Sequence, residues 1–194
     1  DKNGRVKAKL IDCVGYMIDG AIGATDENGP RMVKTPWSDS EIPFEEAAEI
    51  GTRKVITEHS TIGILVTTDG SITEIPREEY VDSEARVVSE LKALNKPFVI
   101  VLNTNNPYSE ETQNLAHELE EKYGVSVVPT DCTNLNTDDI NNIFGKILYE
   151  FPVERININF PEWIDGLDDE HELKQELHRE IKEAFKDIRT VKTI

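Results

Sequence analysis

Apolar runs of strand length alternate with amphipathic helical patterns, and this alternation limits the fold more than any other feature of the sequence. Near-continuous apolar runs lie in residues 61–70, 96–107 and 124–131. Such runs are typical of parallel strands that are buried on both faces. A further strand is predicted at 7–12, ending at Asp12. The order of these patterns predicts an α/β fold, in which right-handed crossovers join the strands of a parallel sheet flanked by helices.

The helical patterns have apolar residues at a spacing close to 3.6. They cover residues 43–59, 77–94, 109–124 and 136–151. Ser109 is predicted to cap the third helix and Gly124 to end it. The residue three positions after this cap is Thr112 rather than Glu or Gln, so a full capping box is not expected there.

Residues 19–43 are rich in Gly and Pro and are predicted to form a long loop. Loops of this length in compact domains are usually functional or mobile. The loop directly follows the polar residues at 12–15, so one hypothesis is that it responds to a bound nucleotide, with Trp37 anchoring it in one state. The alternative is a static insertion with Trp37 packed in the core.

The last part of the chain follows a different pattern. Residues 153–163 alternate like an edge strand, and an amphipathic helix is predicted between Leu173 and Ile188. We therefore divide the chain into a domain at 1–152 and an edge strand with a helical linker at 153–194, which leads toward a following domain.

The charge of the chain excludes some partners and leaves others open. Its 194 residues carry a formal charge of −17. A surface this acidic repels phosphate backbones, so we expect no nucleic-acid partner. No apolar stretch reaches the ~20 residues that span a bilayer. Cys13 and Cys132 form no CxxC unit, and the four histidines lie far from them, so no metal cage is predicted. These features indicate a reduced cytoplasmic compartment.

Three polar clusters follow predicted strands, at 12–15, 103–106 and 130–133. Ligands of open α/β sheets bind beyond the carboxyl ends of the strands. The order and spacing of the clusters are those of a switch NTPase. In that interpretation Asp12 reaches Mg²⁺ through a water, and the backbone N–H of Gly15 senses the γ-phosphate.

The second and third clusters predict the base side of the nucleotide site. Asn103 would brace the nucleotide-binding loops and face the base, and the turn containing Asp131 and Cys132 would lie over the base. Switch GTPases use Asn-Lys-x-Asp here, whereas this chain has Thr104 and Asn106 at the lysine and aspartate positions. An Asn carboxamide has one acceptor oxygen and would oppose one of the two guanine donors, at a cost of about 1–3 kcal/mol. ATP is therefore favoured over GTP.

A further departure concerns the residue directly after Gly15. Many switch GTPases have a glutamine there that positions the attacking water, whereas this chain has Tyr16. We expect hydrolysis to need another group or to be slow.

Several longer stretches resemble the stage IV sporulation protein A family. They are LIDCVGY, DENGPRM, TPW, IPFEEAAEIGTRKVI, EHSTIG, TTDG, KPF and YEFPV, which together span residues from about 10 to 155. The resemblance implies an ATPase domain related to translation-factor-type GTPases, with a P-loop NTPase sheet that is incomplete at the N-terminus. It also implies that Asp12 matches the Mg²⁺-linked Walker B aspartate and that Gly15 is the γ-phosphate sensor.

The resemblance further implies a role in the mother-cell cytoplasm. In the family, ATP hydrolysis drives assembly of a homopolymer that forms the basement layer of the spore coat on the forespore surface. A small amphipathic membrane-associated peptide recruits it, so contact with the membrane is through a partner, and other coat or cortex morphogenetic proteins bind it. The phosphate-loop lysine and the upstream threonines of the family have no counterpart in residues 1–194. We expect this piece alone to be inactive and not to bind ATP tightly.

Two other function classes remain. One is a catalytically degenerate scaffold that holds partners through the same fold, with the glutamates of 110–121 as its contact surface. The other is a metabolic enzyme on a doubly wound sheet, for which the sequence offers no pair of nucleophile and base. Loss of turnover on Asp12→Asn substitution in the intact protein would separate the ATPase from the scaffold.

Overall fold

A three-stranded parallel sheet forms the centre of the computed structural model, which describes residues 7–18, 21–27 and 29–193. Its strands are β5 (Gly63–Thr68), β6 (Phe98–Asn103) and β7 (Val127–Thr130), in the order β5-β6-β7. Leu65 pairs with Ile100, which in turn pairs with Val127. The three strands predicted from apolar runs are therefore confirmed.

Helices connect and cover these strands as the sequence predicts. The α-helices are α1 (Phe44–Lys54), α2 (Val81–Ala93), α3 (Glu110–Tyr123), α4 (Thr137–Tyr149), α5 (Glu162–Asp165) and α6 (Glu172–Phe185). A π-helical turn at Val55–His59 extends α1, and 3₁₀ turns lie at Arg77–Tyr80, Cys132–Asn134 and Val191–Thr193.

The central strand β6 is buried on both faces and divides the core in two. Phe98, Ile100 and Leu102 pack with residues of α2 and α3, whereas Val99 and Val101 pack with residues of β7 and α4. Alternate side chains of a strand point to opposite faces, so one continuous apolar run serves both cores.

The caps of α3 and α4 show where local sequence sets the helix ends. The Ser109 hydroxyl accepts a hydrogen bond from the backbone N–H of Thr112 at 3.2 Å, and Gly124 ends α3 at φ 66°. Both predictions for this helix are confirmed. The full capping box lies on α4 instead, where Asn136 and Asp139 each accept from the backbone of the other.

The strand predicted at 7–12 is wrong. These residues are described, and they lack regular secondary structure. The physical reason is the lack of a partner: β5 pairs only with β6 among the described strands, and its other edge pairs with none of them. A strand needs a neighbour for its backbone N–H and C=O groups, so apolar residues alone do not make one.

The segment at 19–43 contains more local structure than its Gly and Pro content predicts. Two short antiparallel ladders join β1 (Thr25–Asp26) to β2 (Gly29–Pro30), and β3 (Met32–Val33) to β4 (Ile42–Pro43). The first part of the predicted loop, including Gly20, lies partly outside the described residues. Trp37 is 44% exposed, so the alternative in which Trp37 packs in the core is wrong.

The edge strand predicted at 153–163 is also wrong. Only an isolated bridge between Pro152 and Thr190 occurs in this region, and the residues from 153 to 160 lack regular structure. Their alternation fits a strand, but none of the described strands offers them an edge. The following helix is confirmed as α6, although none of its residues is fully buried.

Candidate functional site

The segment that carries Asp12 faces the free edge of β5 across a cleft of about 360 Å³. One wall is formed by residues 11–15, and the other by residues 62–66 with side chains from the helices on that face. Apolar side chains on both sides are open to solvent: Val14 is 65% exposed and Val66 is 57% exposed. The cleft is thus a slot between β5 and the segment that carries the first polar cluster.

The carboxylate of Asp12 is available for a ligand. Asp12 is exposed, and no described residue forms a hydrogen bond or ion pair with its carboxylate. Carboxylate oxygens and water are the ligands that Mg²⁺ prefers. Asp12 therefore fits the role of a Mg²⁺-linked aspartate that acts through water.

The Gly15 N–H already has a partner within the chain. It donates to the Thr52 hydroxyl of α1 at 3.0 Å. Gly15 has φ +83°, a left-handed conformation that residues with a Cβ adopt at a cost of roughly 1–2 kcal/mol. The glycine is thus required by the backbone, and its N–H points toward α1 and away from bulk solvent.

Tyr16 lies in a cage of charged side chains. Its hydroxyl donates a hydrogen bond to Glu90, and the guanidinium of Arg86 lies 4.3 Å from the centre of its ring. Arg86 also forms a bidentate pair with Glu49 of α1. Burial, together with the hydrogen bond to Glu90, raises the pKa of Tyr16 to about 12. Tyr16 therefore packs on α2, which Arg86 joins to α1, and its hydroxyl is committed to Glu90.

Asn103, at the end of β6, connects the second polar cluster to the third. Its side-chain oxygen accepts a hydrogen bond from the backbone N–H of Cys132 at 3.0 Å. The turn after β7 is thereby fixed against the end of β6. Asn103 thus braces this turn through the backbone of Cys132; its role toward a nucleotide stays a prediction.

Thr104 is fully buried, which places it in the framework of the site. Its hydroxyl donates to Asp69 at 2.5 Å and accepts from the backbone N–H of Asn106. Burial acts to raise the pKa of Asp69, but hydrogen bonds from Ser71 and Thr104 outweigh it and hold this pKa below its ordinary value. Thr104 thus ties the ends of β5 and β6 together.

Asn106 lies in the segment after β6, and Asp131 lies in the turn after β7. Asn106 is exposed, and no described residue bonds its side chain, so its carboxamide is available to a ligand. The Asp131 carboxylate accepts from the backbone and hydroxyl of Thr133 and from the Asn134 amide. Hydrogen bonds from Asn134 and Thr133 lower the pKa of Asp131. Asp131 therefore shapes the turn.

The predicted residues form two groups. Asn103, Thr104, Asn106 and Cys132 are joined by the contacts above, and Asp131 lies in the same turn as Cys132. Asp12 and Gly15 lie beside the cleft, and within the described part of the chain no hydrogen bond or salt bridge links them to the first group.

Sequence reasoning did not assign a role to Thr52, Asp69 or the buried pair of Arg77 and Glu84. Glu84 is 3% exposed and accepts from Arg77 at 2.6 Å, and also from Thr67 and Tyr123. Polar residues on the inner face of a predicted helix, such as Thr52 and Glu84, are the signal that could have found them. Their partners come from distant parts of the chain, so only the fold identifies them.

The structure is a parallel sheet with polar loops at the carboxyl ends of its strands, and it also has an exposed aspartate and a glycine N–H beside the sheet. This arrangement defines an α/β protein compatible with an NTPase-like fold. Two family models match the chain: stage IV sporulation protein A, ATPase domain, over residues 1–152, and stage IV sporulation protein A, middle domain, over residues 153–194. The chain belongs to the stage IV sporulation protein A family.

Curated relatives named stage IV sporulation protein A agree with this assignment. The protein of Bacillus anthracis is 47% identical over all of this chain, and that of Bacillus subtilis (strain 168) is 46% identical over 97% of it. The protein of Clostridioides difficile (strain 630) is 48% identical over 97% of it. The chain spans only 38–39% of the length of these relatives. No solved structure matches it.

None of the helices in the described part of the chain is both long enough and apolar enough to cross a bilayer.

Proposed function

We propose that this chain is part of an ATP-hydrolysing, self-polymerising protein that builds the basement layer of the bacterial spore coat. The observation that carries the proposal is the position of Asp12, whose carboxylate no described residue bonds, and of Gly15 three residues later, both beside the slot along β5. The family assignment to an ATPase domain supports it.

The slot beside β5 supports a P-loop type of fold. β5 has an unpaired edge among the described strands, and aliphatic side chains flank the slot on both sides. A strand of the full-length protein placed in this slot would pair with β5 and cover these side chains. We propose that this strand leads into the phosphate loop, which explains our expectation that residues 1–194 alone bind ATP weakly.

Each candidate residue has a distinct part in this proposal. Asp12 would hold Mg²⁺ through water, and the ion would supply neutralisation of phosphate charge when bound. Gly15 would offer its N–H to the γ-phosphate. Asn103 and Thr104 would fix the two base-side turns, and the backbone of Asp131 and Cys132 would line the base.

Asn106 supports ATP as the nucleotide. Its free carboxamide has one acceptor oxygen, whereas guanine recognition at this position uses a carboxylate that accepts two hydrogen bonds. One mismatched donor costs about 1–3 kcal/mol. We therefore expect ATP to be bound in preference to GTP.

The wider role follows from the family and is part of the proposal. The protein would act in the mother-cell cytoplasm, at the outer surface of the forespore. Its partners would be further copies of itself, a small amphipathic membrane-associated peptide and other coat or cortex morphogenetic proteins. Contact with the membrane would run through the peptide.

A catalytically degenerate scaffold is the second candidate. The observation that favours it is Tyr16, which stands where a water-positioning glutamine is usual and whose hydroxyl is committed to Glu90. A scaffold would keep the fold and its contact surfaces without turnover.

ATP hydrolysis by the full-length protein separates the two candidates. We expect turnover with ATP and Mg²⁺ in the wild type, and at least a tenfold loss for Asp12→Asn, because the amide cannot supply the charged oxygens. Asp39→Asn is the matched control, since Asp39 is exposed in the segment between β3 and β4. A wild type without turnover, or an Asp12→Asn variant as active as the control, supports the scaffold.

A further inference from the structure

The backbone directly after Asp12 is held by two helices. The Gly15 N–H donates to the Thr52 hydroxyl of α1 at 3.0 Å, and the carbonyl oxygen of Met17 accepts from the Ser83 hydroxyl of α2 at 2.7 Å. The charged cage around Tyr16 lies between these two contacts. The position of the proposed phosphate sensor is thus set by α1 and α2 together.

The contact with Thr52 uses the hydrogen that a γ-phosphate would need. A backbone amide carries one hydrogen, so a good bond from Gly15 to Thr52 leaves little for a second acceptor. Thr52 is 3% exposed, so its hydroxyl is held in place within the fold. Thr52 therefore competes with any oxygen anion that approaches the Gly15 N–H.

We propose that Thr52 is a specificity-determining residue that lowers the preference of the site for nucleoside triphosphate over diphosphate. Its hydroxyl takes the Gly15 N–H when no γ-phosphate is bound, and a γ-phosphate must displace it. The exchange is favourable because a charged phosphate oxygen is a stronger acceptor than a neutral hydroxyl. This inference rests on the proposed ATP site and adds a residue to it.

Trp37 is placed to report the exchange. It lies against α1 at the residue before Thr52: a methyl group built on Gly51 would be 3.7 Å from two carbons of the Trp37 ring. Release of Thr52 from Gly15 frees α1 to shift, and such a shift changes the surroundings of the indole. This gives a physical basis for the hypothesis that Trp37 responds to the nucleotide.

The test compares two affinities in the full-length protein by titration calorimetry. The probes are ADP and a non-hydrolysable ATP analogue, both with Mg²⁺. Thr52→Val keeps the shape of the side chain and removes the acceptor, whereas Thr52→Ser keeps the hydroxyl. Thr57→Val is the control, because the Thr57 hydroxyl donates only to carbonyl oxygens of its own helix, at 2.8 Å to Arg53 and 3.5 Å to Lys54.

We expect Thr52→Val to raise the ratio of analogue affinity to ADP affinity by about 2- to 10-fold, the worth of one neutral hydrogen bond. Thr52→Ser and Thr57→Val should keep the wild-type ratio. An unchanged or lower ratio in Thr52→Val overturns the inference while leaving the ATP site intact. A wild type that binds neither probe overturns the proposed function itself.

Discussion

The buried pair of Glu84 and Arg77 allows a quantitative test of how α2 is fixed to the sheet. The Glu84 carboxylate accepts from Thr67 of β5 at 2.7 Å, from Arg77 at 2.6 Å and from Tyr123 of α3 at 2.8 Å. The side chains of Glu84 and Arg77 are 1% and 16% exposed. Removing one member leaves the other charge without compensation in a poorly solvated place.

The expected cost depends on what replaces the carboxylate. Glu84→Ala removes every hydrogen bond and leaves Arg77 unpaired, which costs about 3–5 kcal/mol. Glu84→Gln can keep one acceptor for Thr67 and Arg77, but its amide cannot accept from Tyr123, so the charge and one acceptor are lost, at about 1–3 kcal/mol. Adding Arg77→Met to Glu84→Ala removes the stranded charge and should recover about 1–3 kcal/mol.

Native-state hydrogen exchange of β6 amides in the full-length protein measures these costs as free energies of opening. Glu118→Gln is the matched control, because Glu118 is exposed on α3. The free energy of opening of this variant should stay within about 0.5 kcal/mol of the wild type. A Glu84→Ala variant within about 1 kcal/mol of wild type would contradict the reasoning. So would a double variant less stable than Glu84→Ala alone.

Three further predictions concern the candidate site. Burial and the hydrogen bond to Glu90 raise the pKa of Tyr16 in the folded protein from its ordinary 10.0 to about 12. The stabilising effect of Tyr16 is therefore complete below pH 10 and is lost as the pH rises through 12. Tyr16→Phe should lower the free energy of unfolding at neutral pH and reduce the loss of stability between pH 10 and 12, both measured by urea denaturation. An unchanged pH profile of stability counts against the contacts described for the Tyr16 hydroxyl. Gly15→Ala should lower the free energy of unfolding by roughly 1–2 kcal/mol, because the φ of Gly15 is +83° and no neighbouring atom crowds the added methyl group. The control Gly145→Ala lies inside α4 and should raise the free energy of unfolding by about 0.5–1 kcal/mol. Asn103→Ala should speed hydrogen exchange in the turn after β7 and weaken ATP binding in calorimetry; unchanged exchange there would argue against its bracing role.

The sequence predicts the parts of the fold whose cause is local. The strands β5, β6 and β7 follow from apolar runs, and the ends of α3 follow from Ser109 and Gly124. The predicted strands at 7–12 and 153–163 fail because a strand depends on a neighbour, which a local pattern does not specify. The small ladders of 25–43 form despite many Gly and Pro residues, since two-residue pairings need little regular backbone.

The candidate site divides in the same way. Asp12, Gly15 and Asn103 are named by motif spacing along the sequence, and their nucleotide roles stay predictions. Thr52 is not named in this way, because its contact with Gly15 joins residues 37 positions apart and depends on how α1 docks. Thr104 was expected to bind the nucleotide directly, whereas its complete burial gives it a framework role that only packing could indicate.

The most direct test of the ATP site is hydrogen exchange of the full-length protein with and without a non-hydrolysable ATP analogue and Mg²⁺. The account predicts slower exchange in three separate segments, at 10–18, 103–107 and 130–134, with little change in α6. Protection confined to other parts of the protein, or none in these segments at saturating analogue, would contradict it.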